Sequence, residues 1–335
     1  MTRYAIRHEH LGRWPVVALT DSESGMSVRL ARRGATLLDF HVPLGERLHD
    51  IADGYADADA LEAQEGARFA VMLPFANRIA DARYRFDGKA CDLQPGISGD
   101  ARGIMHGFVC EADFELLSAD ADDDGARVRF GHDGLRPGVH PGYPFALDLE
   151  VLFTLHAGGL DVEARMRNVG EQAAPCFFGW HPYLRLREDG IADCELQLPA
   201  HQAVRTDDRL IPLPGASALQ PLDAVPPLDF RQPRRIGGCV MDTGFADPQV
   251  DADGRVRTRL RDPDSGLAVV VWQQSGVTLA FTGDTLAGAA ARRSIALEPM
   301  EAMTDAFNRD DCIDAITLAA GAERRFHCGL EIHLP

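Results

Sequence analysis

Apolar and polar positions alternate with a period of two over much of this chain. At 160–167, Leu160, Val162, Ala164 and Met166 fall on one side of an extended segment, and Asp161, Glu163, Arg165 and Arg167 fall on the other. That is the pattern of a strand with one buried face. Further strand-like runs lie at 16–20, 27–31, 128–130, 147–155, 267–272, 277–281 and 326–333. Asp87-Gly88, Asp133-Gly134, Gly158-Gly159, Asp189-Gly190 and Asp253-Gly254 punctuate them as turns. Helical periodicity is scarce and is best at 56–64. Many short strands joined by Gly and Asp turns predict an all-β, antiparallel sandwich or barrel. The proline-rich stretch at 212–233 is the best candidate boundary, but the composition continues unchanged beyond it. It reads as a long surface loop, and residues 1–335 as one domain, large enough to bury a substantial core without disulfides or metal.

Composition narrows the partners. The chain carries 34 Lys plus Arg against 51 Asp plus Glu, a formal net charge of −17. Nucleic acid and anionic membranes attract clustered positive charge, so neither is expected as the main partner, whereas a small or neutral ligand is. The apolar runs are strand-length, too short for a membrane helix. The first ten residues are polar and charged, so no secretory signal is expected. Seven cysteines are scattered without a C-x-x-C pair. That predicts reduced thiols in a cytoplasm, with neither a disulfide framework nor a zinc site.

Several familiar motifs fail. Asp120-x-Asp122-x-Asp124-Gly125 begins like a calcium loop, but its twelfth position is Gly131, where a bidentate Glu is needed. No P-loop, dinucleotide glycine fingerprint or G-x-S-x-G is present. Four segments survive: Pro74-Phe75-Ala76-Asn77-Arg78-Ile79 with Tyr84-x-Phe86-Asp87-Gly88; Met105-His106-Gly107; Gly179-Trp180-His181-Pro182-Tyr183-Leu184; and Leu297-Glu298-Pro299-Met300 leading into Thr304-Asp305-Ala306-Phe307-Asn308. Alone, each has a bland reading: Arg78 as surface charge, His106 as a turn histidine, His181-Pro182 as a strand end, Glu298 as a solvated carboxylate. Their joint occurrence in this order outweighs those readings.

The ordered set resembles the aldose 1-epimerase (galactose mutarotase) family, from about Gly34 to the C-terminus. The resemblance implies a single large antiparallel β-sandwich with a carbohydrate cleft. It implies Glu298 as general base and His181 as general acid, with Arg78 and its neighbour Asn77, His106 and Asp242 holding the sugar. Leu184 stands where the family commonly has phenylalanine, and Trp180 is bulkier than its usual counterpart, which leaves the sugar preference open. Interconverting anomers moves only protons. A base takes the proton of the anomeric hydroxyl while an acid protonates the ring oxygen, which Glu and His are suited to do. No cofactor and no metal are therefore expected, and the partner is a monosaccharide. Trp180 or Tyr183 could face the sugar's C–H side or belong to the core.

Two other readings stay open. A phosphorylated hexose would need an arginine cluster at the cleft rim, which Arg292-Arg293 or Arg185 with Arg187 could supply. A non-catalytic sugar-binding module on the same fold would have no need of a matched acid and base.

Overall fold

The computed structural model describes residues 2–335. Among them, α-helix is confined to Ala58–Ala63 and Ile313–Ile316, and antiparallel strands make up the rest of the framework. Two large sheets form the sandwich. The first runs in spatial order through Arg234–Arg235, Glu195–Gln197, Val256–Arg261, Ala268–Gln273, Glu323–His333, Gly159–Asn168, Leu147–His156, Ala126–Leu135 and Glu115–Ala121. The second runs through Leu219–Pro221, Ala200–Val204, Asp242–Pro248, Val277–Phe281, Ile295–Met300, Gly179–Trp180 and Val71–Met72, with Tyr183–Leu184 also pairing to Ile295–Met300. A five-stranded meander from Tyr4–Leu11 to Arg47–Asp50 packs at the N-terminal end.

The alternation read from the sequence is what builds the first sheet. Leu160, Val162, Ala164 and Met166 are buried, and they sit opposite Leu155, Phe153, Val151 and Leu149 in unbroken register. Each of the larger of these side chains removed from water contributes about 1.5–3 kcal/mol. The core they enter also takes Phe245, Leu279 and Leu297 from the second sheet, so the two inner faces close on each other.

Three local expectations need correction. Asp133-Gly134 is not a turn: it lies inside the Ala126–Leu135 strand, where the register against Leu147–His156 slips between His132 and Leu135. The extra residue is accommodated as a bulge, which a glycine eases. The 212–233 stretch is not a plain loop. It forms the edge strand Leu219–Pro221 against Ala200–Val204, flanked by 3-10 turns at Gly215–Ala218, Leu222–Ala224 and Pro226–Leu228. Proline's fixed φ suits such tight turns, and its missing N–H costs little on an edge strand. The helix expected at 56–64 is shorter, Ala58–Ala63. Asp57 caps it by accepting a hydrogen bond from the Ala60 N–H at 2.8 Å, and Gln64 ends it at φ 50°.

The second sheet sets up the site. The Ile295–Met300 strand pairs on one side with Val277–Phe281, Leu279 lying opposite Glu298. On its other side Gly179 lies opposite Met300, and Tyr183 opposite Ala296. The same register carried across the intervening residues brings His181 alongside Glu298. Pro182 cannot donate to the ladder, but its carbonyl still accepts from the Leu297 N–H at 3.1 Å, so the segment stays against the strand.

Candidate functional site

His181 and Glu298 meet as this register predicts. Nε2 of His181 lies 3.2 Å from Oε1 of Glu298, and both side chains are buried. Glu298 Oε2 and His181 Nδ1 have no hydrogen-bond partner within the protein, an uncommon state for buried polar atoms and one that suits groups kept for a ligand. The two line a cavity of about 430 Å³ together with Arg78, Asn77, His106, Tyr183 and Asp242, a volume ample for a monosaccharide. A larger cleft, of about 830 Å³, lies elsewhere, among Arg231, Arg257, Asp229, Asp251 and Glu331. Arg231 and Arg257 there are already paired with Asp229, Asp251 and Glu331.

Loops bring in the remaining residues. Asn77 and His106 both have left-handed backbone, at φ 56° and 63°. Asparagine tolerates that region well, and strain of this kind concentrates at functional sites. Asn77 Oδ1 accepts from both the backbone N–H and Nη1 of Arg78 at 2.9 Å, which aims the guanidinium. Arg78 Nη2 then reaches Asp242 Oδ2 at 3.7 Å. His106 donates its backbone N–H to the Asn77 carbonyl at 2.9 Å, and its ring packs edge-on to His181 with centroids 5.1 Å apart. Gly107, at φ 71°, is required here: a Cβ would fall 2.1 Å from the Leu73 carbonyl oxygen.

Burial sets the charge states. It pushes the Glu298 carboxyl well above the usual range; neighbouring Asp242 adds to this, and Arg78 opposes it. Burial also pushes His181 well below the usual imidazole value, with His106 and Arg68 adding to the effect. His106 falls to about 4, again through desolvation and then Arg78, although its edge is partly exposed at the cavity. Burial therefore disfavours charge on both members of the pair.

The family model for aldose 1-epimerase matches residues 15–331. The chain belongs to this family. Among curated relatives of this aldose 1-epimerase family member, uncharacterized protein YihR of Escherichia coli (strain K12) is 29% identical over 256 residues, covering 76% of each chain. The aldose 1-epimerase of the same strain is 25% identical over 295 residues, covering 81% of this chain and 79% of the relative. The GalM/aldose epimerase homologue from C. elegans superposes with a TM-score of 0.82 at 18% identity, covering 98% of this chain and 99% of its own. The galactose 1-epimerase from Lactobacillus acidophilus NCFM superposes with 0.81 at 16%, covering 100% and 99%. At those identities the structural matches establish the fold.

All six residues singled out in this aldose 1-epimerase family chain (Glu298, His181, Arg78, Asn77, His106, Asp242) come together at the one cavity. Tyr183 lines it, with its ring stacked on His181 at 4.9 Å and 4°. Trp180 does not: it is fully buried and packs on Phe69. Of the four arginines that could have met a phosphate, none lines the cavity, and all but Arg185, whose Nε has no partner among the described residues, are engaged elsewhere. Arg292 bonds Asp284 and the Cys239 carbonyl, Arg293 bonds Asp53, and Arg187 bonds Asp189, Asp262 and Asp264. His106, His181 and Glu298 present ligand atoms within 4.8 Å of one another, a set of two imidazoles and a carboxylate that could hold a divalent transition ion. All seven cysteines are unpaired, and among the described residues no helix is long and apolar enough to cross a membrane. Sequence reasoning missed Phe281 and Leu286 in the cavity wall, and Arg68 and Asp53 behind it. None of these stands in a pattern distinguishable from ordinary strand or surface positions.

Proposed function

We propose that this chain interconverts the α and β anomers of an unphosphorylated aldose by general acid–base catalysis. The observation that carries the reading is the buried His181–Glu298 contact at 3.2 Å, with one unpartnered polar atom on each residue, in the wall of a sugar-sized cavity. A single proton serves the pair. With that proton on His181, the pair is a carboxylate and an imidazolium. Glu298 then takes the proton of the anomeric hydroxyl as His181 delivers its own to the ring oxygen. The C1–O5 bond breaks, leaving an open-chain aldehyde. After rotation about C1–C2 the ring oxygen attacks the other carbonyl face, His181 recovers its proton and Glu298 returns one to the new hydroxyl. Positioned proton transfer of this kind supplies ~10²–10⁴-fold.

Arg78, steadied by Asn77, and Asp242 would hold sugar hydroxyls by directional hydrogen bonds, and His106, unprotonated at neutral pH, would accept or donate one more. That none of Arg185, Arg187, Arg292 and Arg293 lines the cavity favours a substrate without phosphate. Proton NMR saturation transfer between anomers, run across a panel of free and phosphorylated aldoses, tests the reading. Catalysed exchange of at least one free aldose is expected. Exchange confined to phosphorylated sugars, or none with any sugar, would overturn it.

A further inference from the structure

Behind the cavity wall lies a buried cation that this chemistry does not use. Arg68 is 9% exposed. Its Nη1 donates to the Asp53 carbonyl at 2.9 Å and also meets the Asp53 carboxylate. Asp53 in turn accepts from Ser294 Oγ at 2.6 Å and from Arg293, and its backbone N–H donates to the Tyr183 carbonyl at 2.9 Å. The guanidinium carbon sits 5.1 Å from the Tyr183 ring centroid, within the range of a cation–π contact. Tyr183 is the ring on which His181 stacks, coplanar to within 4°. The backbone repeats the link: Phe69 donates to the His181 carbonyl at 2.8 Å, and His181 donates to the Ala70 carbonyl at 3.1 Å.

We propose that Arg68 is a positioning residue: clamped by Asp53 against Tyr183, it holds the His181 ring in register with Glu298. The inference rests on the acid–base reading of that pair. Burying a guanidinium is costly unless it is fully paired, and one carboxylate shared with Arg293 leaves this corner with a net positive charge. The stacked tyrosine carries that constraint to the imidazole. His181 faces Glu298 from the neighbouring strand, His106 from its turn, Tyr183 from its own segment and Arg68 from behind, with Arg78 and Asp242 across the cavity. Of these, Arg68, Arg78 and His106 disfavour a charged imidazole, while ionised Glu298 and Asp242 favour it.

The test compares Arg68→Met and Arg68→Lys with the wild type by anomer exchange as a function of pH. Arg68→Met removes the charge and the clamp. Its kcat should fall ~10–100-fold, the scale of a slightly misplaced catalytic group, with KM changed less than about threefold on the same argument. Its acidic limb should move to higher pH, because the imidazole then protonates more readily. Arg68→Lys retains a cation and should keep the acidic limb in place and recover part of kcat. Should Arg68→Met not fold by circular dichroism, Arg68→Gln, whose amide still donates to Asp53, takes its place. A folded Met or Gln variant with wild-type kcat and an unmoved limb overturns the proposal. So do equal losses in the Lys variant and in the Met or Gln variant with no limb shift in either. Failure of the underlying reading looks different, since the wild type itself would then show no catalysed exchange.

Discussion

Nε2 of His181 and Oε1 of Glu298 stand 3.2 Å apart because two short strand segments, on either side of His181-Pro182, pair in one register with the strand that carries Glu298. The sheet itself therefore sets the distance between the candidate acid and base. Side chains on a packed sheet are held more closely than side chains on loops.

That arrangement fixes an expected pH dependence. The working pair holds one proton. Below the His181 pKa it takes a second, and above the Glu298 pKa it loses the last. Burial lowers the first value and raises the second. kcat/KM should thus be bell-shaped, its acidic limb below the ordinary histidine value and its alkaline limb well above the ordinary glutamate value. The limbs belong to the coupled pair, not to either residue alone. A profile already falling as pH drops through 6.5, the ordinary histidine value, would contradict this order.

Asp242→Asn should move the alkaline limb to lower pH. The Asp242 carboxylate raises the Glu298 pKa, so its neutral replacement lets Glu298 ionise sooner. Losing a charged partner for Arg78 and the sugar should also lower kcat/KM by ~10–100-fold. An unmoved limb in a folded variant would mean that Asp242 exerts no field at the pair.

Gly107→Ala tests how the 105–107 turn places His106. The added Cβ would meet the Leu73 carbonyl at 2.1 Å with the backbone at φ 71°. A stability loss of about 1–3 kcal/mol is expected, read by denaturant titration, together with a raised KM as His106 shifts. Unchanged stability and KM would show that the turn relaxes without consequence.

Treatment with EDTA should leave the exchange rate unchanged, because the proposed steps shift protons and open and reclose the C1–O5 bond with groups that Glu298 and His181 supply. The His106, His181 and Glu298 donor atoms make this a real test. Loss of rate, restored by one particular cation, would replace the acid–base account with a metal-assisted one.

Much of this was legible in the sequence, for identifiable reasons. Period-two alternation at 160–167 exposes a half-buried strand directly, and the sheet built on it follows. The Glu298-Pro299 and His181-Pro182 segments, bland when taken singly, could be found because four segments occur together in one order that resembles a single family. Three features were not legible. The Asp133-Gly134 bulge looks like a hairpin turn because the same residues serve both. The edge strand at Leu219–Pro221 hides among prolines that normally exclude strands. The opposed pKa shifts of Glu298 and His181 depend on desolvation, which only the closed fold produces. Arg68 and Asp53 meet across 15 positions, and no local pattern marks either.

The most direct measurement of the central claim is a comparison of anomer exchange, by proton NMR, in Glu298→Gln, His181→Asn and the double variant, each verified as folded. If the two residues act as one proton-handling unit, each single substitution removes nearly all catalysis, and the double variant is scarcely slower than either single one. Near-normal exchange in Glu298→Gln, or losses in the single variants that simply multiply in the double, would contradict the account.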